Sequence, residues 1–273
     1  MKPLILLLFA LASCASASSI GNAAGGTNAG ETTFDGQNEY RMSLTNSADI
    51  SVFINIPARV EVRSYGGDEL RIESLRRPPT RPEAAEGLRS LFSEAADNTN
   101  LGLAVTWEEK QVRITSARRH TGEYILHVPD KVRLVYQEVS PGYGGIKVSN
   151  HRGVLELSSR VGNLDLQEVT GPALLHSNAG NINIVFSELS QVGETRIQAN
   201  VGNIDLSLPA DTPADWYLGA TIGDIFTDMD MQMADTNGTG RTRGNAMIRG
   251  ETNGGGVIMN VRSGAGNIFI RER

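Results

Sequence analysis

Two aspartates occupy equivalent positions in a repeated phrase and could form a catalytic pair. Asp165 and Asp205 each follow Val-Gly-Asn and an aliphatic residue. If the copies stack as parallel strands with one copy between them, the carboxylates lie roughly 10 Å apart, with Asn183 between them. Carboxylates near that separation can hydrolyse a glycosidic bond with inversion. Nothing in the sequence indicates that either carboxylate is shielded from solvent, and exposed carboxylates usually remain solvated. We therefore expect an exposed polar row and no enzyme activity.

The residues that commonly bind metals show no spacing typical of a metal site. The histidines lack a His-x-x-x-His pair, and we expect each to be a surface or strand residue. They are His120, His127, His151 and His176. Three methionines alternate with polar residues and could bind Cu(I): Met229, Met231 and Met233. Methionine also fills gaps in a half-buried strand, and this is the interpretation that we favour. We expect no metal and no cofactor.

Four aromatic residues could form a ligand-contact face, because sugars stack on exposed rings. Two of them take the outward position of the repeat and two lie nearby in sequence. They are Phe226, Phe269, Trp216 and Tyr217. The alternative is that an adjoining segment, such as residues 228–255, covers these rings.

A repeated turn and strand must position all of these residues. Each copy begins with Gly followed by Asn or Asp, a pair favoured where the backbone turns through positive φ. In four of the five copies, aliphatic residues two and four positions after the Gly face one side of a strand. The turns are Gly162-Asn163, Gly180-Asn181, Gly202-Asn203, Gly223-Asp224 and Gly266-Asn267.

Repetition about every twenty residues predicts a stacked all-β architecture. Weaker half-repeats indicate two short strands per coil. We therefore expect an elongated, parallel β-helix-like solenoid. Its turn asparagines should form a ladder that follows the order of the repeats in the chain. A β-sandwich or meander with turns at the same interval stays open as an alternative. The regular repeats cover residues 141–273, with a Gly-, Asn- and Thr-rich insertion at 228–255.

The preceding segment, residues 34–140, predicts less regular strands in the same single domain, residues 34–273. Pro82, acidic residues in the following turn and an apolar stripe at helical spacing predict one short helix at 82–96.

The N-terminus predicts export. Its apolar run is too short to span a bilayer but fits a secretory signal. The run ends at Leu11-Ala12-Ser13-Cys14, which resembles the lipobox of bacterial lipoproteins. That resemblance implies a signal peptide at 1–13, a lipidated Cys14 and a flexible tether over 14–33. Cleavage after Ala17 is the alternative. We expect a membrane-anchored protein of the cell envelope, at the outer membrane or periplasmic face in a diderm cell.

Charge and cysteine content exclude some classes of protein. A net charge of −6 argues against a nucleic-acid partner. A single cysteine excludes a disulfide framework and a zinc cluster of cysteines.

The order of these features resembles the bacterial putative-adhesin family of exported β-strand-repeat proteins. The resemblance depends on the Gly-Gly-Asp turn at 66–68, the strand ending in His127-Val128-Pro129 and the serial Gly-Asn phrases, across about residues 40–273. It implies adhesion and supplies no catalytic residues. We expect a non-catalytic structural or adhesin-like binding module whose partners are the membrane, through the lipid anchor, and an envelope or surface glycan or another envelope protein. A polysaccharide-active enzyme and an envelope sensor or assembly factor are the alternatives.

Overall fold

The computed structural model describes residues 32–33, 38–76, 82–88, 95–118, 122–138, 145–234 and 247–273, and over these ranges the protein is all-β, as predicted. Residues 1–13, Cys14, the tether as far as residue 31 and His120 lie outside the described residues. Thr32 and Thr33, the end of the predicted tether, form a two-residue strand. Within the described ranges, no helix has the length and apolar character needed to cross a bilayer.

The strands before the regular repeats are β1 Thr32–Thr33, β2 Glu39–Ser43, β3 Ser51–Asn55, β4 Arg59–Tyr65, β5 Glu69–Ser74, β6 Leu103–Glu108, β7 Gln111–Ser116, β8 Glu123–Pro129 and β9 Arg133–Gln137. Those of the repeats are β10 Gly145–Ser149, β11 Leu155–Ser159, β12 Asn163–Val169, β13 Ala173–Ala179, β14 Ile182–Phe186, β15 Thr195–Val201, β16 Ile204–Leu208, β17 Ala214–Ile222, β18 Ile225–Thr227, β19 Gln232–Met233, β20 Ile248–Thr252, β21 Val257–Ala265 and β22 Ile268–Glu272. Two 3-10 turns, Ser47–Asp49 and Glu83–Ala85, complete the elements within the described ranges.

The strands form two eleven-stranded sheets that share one hydrophobic core. The first sheet has the order β1-β2-β5-β8-β4-β10-β12-β14-β16-β22-β18. The second sheet has the order β19-β20-β17-β21-β15-β13-β11-β9-β3-β7-β6. Two sheets around one core are also compatible with the sandwich alternative.

From β9 to β16, successive strands alternate between the sheets, and each pairs in parallel with the strand two places along the chain. The register of β12 with β14 places Leu164 beside Ile182 and Leu166 beside Ile184. All four side chains are buried. Burying each is worth roughly 1.5–3 kcal/mol, so neighbouring repeats stabilise one another.

The last repeats do not stack in chain order. Strand β21 lies between β15 and β17, and β22 lies between β16 and β18. The insertion explains this exchange, because β20 pairs antiparallel with β17 and covers one of its edges. The free edge of β17 is then taken by β21. The predicted sequential stacking is wrong at this point.

The helix predicted at 82–96 does not form over residues 82–88, which contain only the 3-10 turn Glu83–Ala85. Glu86 is already extended, with φ −61° and ψ 132°. Leu88, part of the expected apolar stripe, is 63% exposed. A short helix is marginal in water unless its apolar face packs against a core, and most of the Leu88 side chain lies in solvent. Residues 89–94 lie outside the described residues.

Candidate functional site

A ladder of asparagine side chains runs along the Gly-Asn turns. The Oδ1 atom of Asn163 accepts the backbone N–H of Asn181, and Asn181 accepts that of Asn203, both at 2.9 Å. The ladder continues from Asn203 to the N–H of Asn267 at 2.8 Å and from Asn267 to that of Asp224 at 2.9 Å. Asp224 therefore ends the ladder, although it precedes Asn267 in the chain. These hydrogen bonds give the asparagines a structural role.

The glycines of the same turns leave room for the backbone of the neighbouring repeat. Gly202 has φ 141°, and a Cβ atom there would lie 2.3 Å from the carbonyl oxygen of Gly180. Gly266 has φ 152°, and its Cβ would lie 2.1 Å from the carbonyl oxygen of Gly202. Both the conformation and the close approach require glycine.

The two candidate catalytic aspartates lie in one outward row of the first sheet. Asp165 neighbours Asn183, which neighbours Asp205 on the next strand. The Asn183 amide donates to Asp165 Oδ1 at 2.6 Å. Asp205 accepts two hydrogen bonds from Arg271, from Nε at 2.9 Å and Nη2 at 3.1 Å. Each carboxylate is thus held by a partner, and Asp205 forms a bidentate ion pair with Arg271.

The same row ends on two stacked rings. Phe269 neighbours Asp205 on one side and Phe226 on the other. The Phe226 and Phe269 centroids are 5.5 Å apart and their planes differ by 12°. Phe226 is 50% exposed, and the guanidinium carbon of Arg271 lies 5.4 Å from the Phe269 centroid. We call Phe226 and Phe269 the ring platform. The two rings stack against each other, the half-exposed Phe226 forms the outer end of the stack, and the Asp205–Arg271 pair lies beside Phe269.

The four rings that the sequence offered as a possible ligand-contact face do not lie on one face. Trp216 is fully buried, and its Nε1 donates to Thr252 Oγ1 at 3.1 Å. Tyr217 lies on the second sheet, where the guanidinium carbon of Arg249 is 5.4 Å from its ring centroid. The period of two along β17 turns one ring inward and the other outward, and β17 belongs to the opposite sheet from the ring platform.

Arg271 was not among the site residues predicted from the sequence. It follows Phe269 by two positions on β22, so both side chains point to the same side of the sheet. That spacing was visible in the sequence, whereas the bidentate contact with Asp205, 66 residues away, was not.

His151 is fully buried and lies away from this face. Its Nε2 is 3.0 Å from the carbonyl oxygen of Val132, and its Nδ1 is 2.8 Å from Ser64 Oγ. A carbonyl can only accept, so Nε2 carries the proton and Nδ1 accepts from the Ser64 hydroxyl. Burial lowers the pKa of His151 to about 4. His151 is therefore a neutral imidazole buried in the core.

The other candidate metal-binding residues are dispersed. His127 Nε2 lies 3.0 Å from Glu73 Oε1, and His176 lies on the outward face of the second sheet. Met229 is buried, Met231 packs partly against the core, and Met233 is 56% exposed. Only Met233 of the three lies in a strand. The described ranges contain no cluster of three His, Cys, Asp or Glu side chains able to hold a metal ion.

Solved structures similar to this chain include one from Clostridium sporogenes and one from Bacteroides fragilis. No family model and no curated protein matches the chain. A putative cell adhesion protein from Clostridium sporogenes is 11% identical, with a TM-score of 0.45 over 89% of this chain and 100% of that chain. A putative adhesin from Bacteroides fragilis is 11% identical, with a TM-score of 0.40 over 86% of this chain and 96% of that chain.

Proposed function

We propose that this chain is a non-catalytic, adhesin-like binding module of the bacterial cell envelope, and that the ring platform binds a glycan. The observation that supports this most directly is the near-parallel stacking of Phe226 and Phe269 on the outer face, with Phe226 half exposed. A sugar ring presents C–H groups on its faces, which pack on aromatic rings.

Polar groups beside the ring platform could orient such a sugar. The Arg271 guanidinium uses two nitrogens for Asp205 and keeps further N–H donors. The carboxylate oxygens of Asp205 retain lone pairs, so this pair offers both a donor and an acceptor next to Phe269. Sugar hydroxyls both donate and accept, which suits this combination.

The repeat architecture fits a contact module. In this proposal the domain is a β-solenoid with two short strands per coil, supported by the parallel pairing of alternate strands. Solenoids expose long, regular surfaces because each repeat contacts only its neighbours.

A lipid on Cys14 would hold the domain at the envelope. The proposal depends on the lipobox resemblance of Leu11-Ala12-Ser13-Cys14. Labelling cells with a fatty-acid analogue should mark the wild-type protein and not Cys14→Ala. Equal labelling of both would remove the anchor from the proposal.

The glycan proposal is tested by retention on immobilised envelope and capsular polysaccharides, with released oligosaccharides scored in the same samples. We expect the Phe226→Ala/Phe269→Ala variant to bind at least roughly tenfold more weakly, a loss of about 1.4 kcal/mol. Phe53→Ala is the matched control, because this ring on the second sheet also has a guanidinium over it, that of Arg113 at 4.6 Å.

The outcomes of this test are distinct. Weaker retention of the ring-platform variant alone supports the proposal. Equal retention of both variants contradicts it, and release of oligosaccharides would show that the protein is an enzyme. If no polysaccharide retains the wild-type protein, a protein partner becomes the better hypothesis.

A further inference from the structure

We propose a second binding site, on the outward face of the second sheet, that takes the carboxylate or sulfate group of an acidic saccharide. The site is a depression of about 270 Å³ over strands β15, β21 and β17. Its side chains that can bind a ligand are Gln198, Asn200, Thr221 and Arg262. It lies on the opposite sheet from the ring platform and does not depend on it.

Two outward glycines create the depression, and only one of them is explained by packing. A Cβ at Gly264 would lie 2.6 Å from the carbonyl oxygen of Asn200, so the neighbouring strand excludes a side chain there. At Gly219 the nearest atom to an added Cβ is Arg262 Cγ, at 3.9 Å. A side chain would fit, and glycine in a strand interior weakens the strand. Glycine in such a position often marks the close approach of a ligand.

Arg262 lies directly beside Gly219 in the register of β21 with β17. Its Nε donates to Asn260 Oδ1 at 3.0 Å, and its Nη2 lies 3.9 Å from Met247 Sδ. In the part of the chain that the structure describes, Arg262 makes no ion pair, whereas Arg196 on β15 pairs with Glu194 at 3.0 Å. Arg262 therefore lines the depression, and its guanidinium has no carboxylate partner among the described residues. Such a group binds an oxyanion through paired N–H donors.

The surrounding charges favour an anion. The adjacent outward row, on β15, β21, β17 and β20, places Arg196, Asn260, Tyr217 and Arg249 side by side. Arg196 is paired with Glu194, whereas Arg249 makes no ion pair among the described residues and lies over the Tyr217 ring. Arg249 and Arg262 thus place positive charge near the depression, in contrast with the net charge of −6 of the whole chain.

The walls favour a saccharide over a peptide. Gln198 and Asn200 supply amides and Thr221 supplies a hydroxyl, and these groups can both donate to and accept from sugar hydroxyls. Peptide recognition uses an open strand edge or pockets for apolar side chains. The depression instead lies across the face of three paired strands, and Met247 is the one large apolar side chain in its lining.

The test measures binding of four soluble polymers to the purified protein by calorimetry: a polyuronate, the same polymer with its carboxyl groups reduced, dextran sulfate and dextran. We expect the polyuronate or dextran sulfate to bind and both neutral polymers to fail at this site. Binding of the polyuronate assigns a carboxylate ligand, and binding of dextran sulfate assigns a sulfate ligand. Absence of binding by both charged polymers overturns the proposal.

Two variants probe the site by different routes. Arg262→Gln removes the charge, and Gly219→Val fills the depression at a position where an added Cβ has room. Each should weaken binding of the charged polymer at least tenfold. Arg160→Gln is the control, because it removes an equal charge from another exposed arginine that follows β11 of the same sheet.

Binding within twofold of wild type for Arg160→Gln, with losses for the other two, supports the site. Equal effects of Arg262→Gln and Arg160→Gln would show that binding is nonspecific charge attraction and overturn it. The Phe226→Ala/Phe269→Ala variant should bind the charged polymer as wild type does, which separates this site from the ring platform.

Discussion

His151 should make the stability of the protein depend on pH in a window set by a single buried ring. The side chain is fully buried, and burial is the largest cause of the lowering of its pKa from 6.5 to about 4. Its hydrogen bond to the Val132 carbonyl and the nearby Asp130 oppose this shift without cancelling it. A folded-state pKa below the unfolded value means that the unfolded chain binds the proton first as pH falls. The stability is complete above pH 6.5 and is lost progressively as pH falls towards 4.

The magnitude follows from the difference of about 2.5 pKa units, at about 1.36 kcal/mol per unit. Between pH 7.5 and pH 4 the free energy of unfolding should fall by about 3 kcal/mol from this residue alone. About 2 kcal/mol of that should already be lost at pH 5, before most carboxylates titrate.

The assay is urea unfolding of the wild type and of His151→Gln at four pH values from 7.5 to 5.0, followed by tryptophan fluorescence, to which the buried Trp216 and the partly buried Trp107 contribute. The variant will be less stable at pH 7.5, but its stability should vary less with pH by about 2 kcal/mol. His127→Gln is the control, because burial and Arg71 also lower the pKa of His127. Equal pH dependence of the wild type and His151→Gln would refute the assignment.

Two further predictions concern the repeat. Gly202→Ala should destabilise the protein by about 1–3 kcal/mol, since its Cβ would meet the Gly180 carbonyl at 2.3 Å, whereas Gly66→Ala, with no atom within 4 Å, should leave the melting temperature nearly unchanged. Ile204→Asp should cost at least about 3 kcal/mol by burying an unpaired charge, whereas Ser207→Asp on the outward face of the same strand should be tolerated. An unchanged melting curve for Ile204→Asp would mean that the inward face of β16 has been misassigned.

The sequence predicted the repeat strands well because their two signals, the Gly-Asn turn and the alternation of aliphatic with polar residues, are both local. Leu164 and Leu166 alternate with a polar residue, as do Ile182 and Ile184. Each pair therefore defines an inward face wherever its strand lies. The failed helix shows the limit of such reasoning. The apolar stripe around Leu88 has helical spacing, but spacing does not reveal whether a core is present to bury it, and Leu88 is 63% exposed.

The candidate sites were less predictable, because each depends on residues distant in the chain. Phe226 and Phe269 share the outward position of the repeat, so their common face could be predicted. Trp216 is adjacent in sequence to Tyr217 but points inward, towards Thr252. The depression at Arg262 had no sequence signal beyond a glycine at position 219 in a strand.

The sequence by itself determined the all-β class, the turn positions and which aliphatic residues face the core, because these follow from the preferences of neighbouring residues along one strand. Only the tertiary structure decided the order of the repeats. Antiparallel pairing of β20 with β17 occupies one edge of that strand, and β21 must then enter between β15 and β17. This exchange places Phe269 between Asp205 and Phe226, and Arg262 between Gln198 and Gly219. Strand order depends on which edges remain free, and the alternation of residues along a strand carries no information about that.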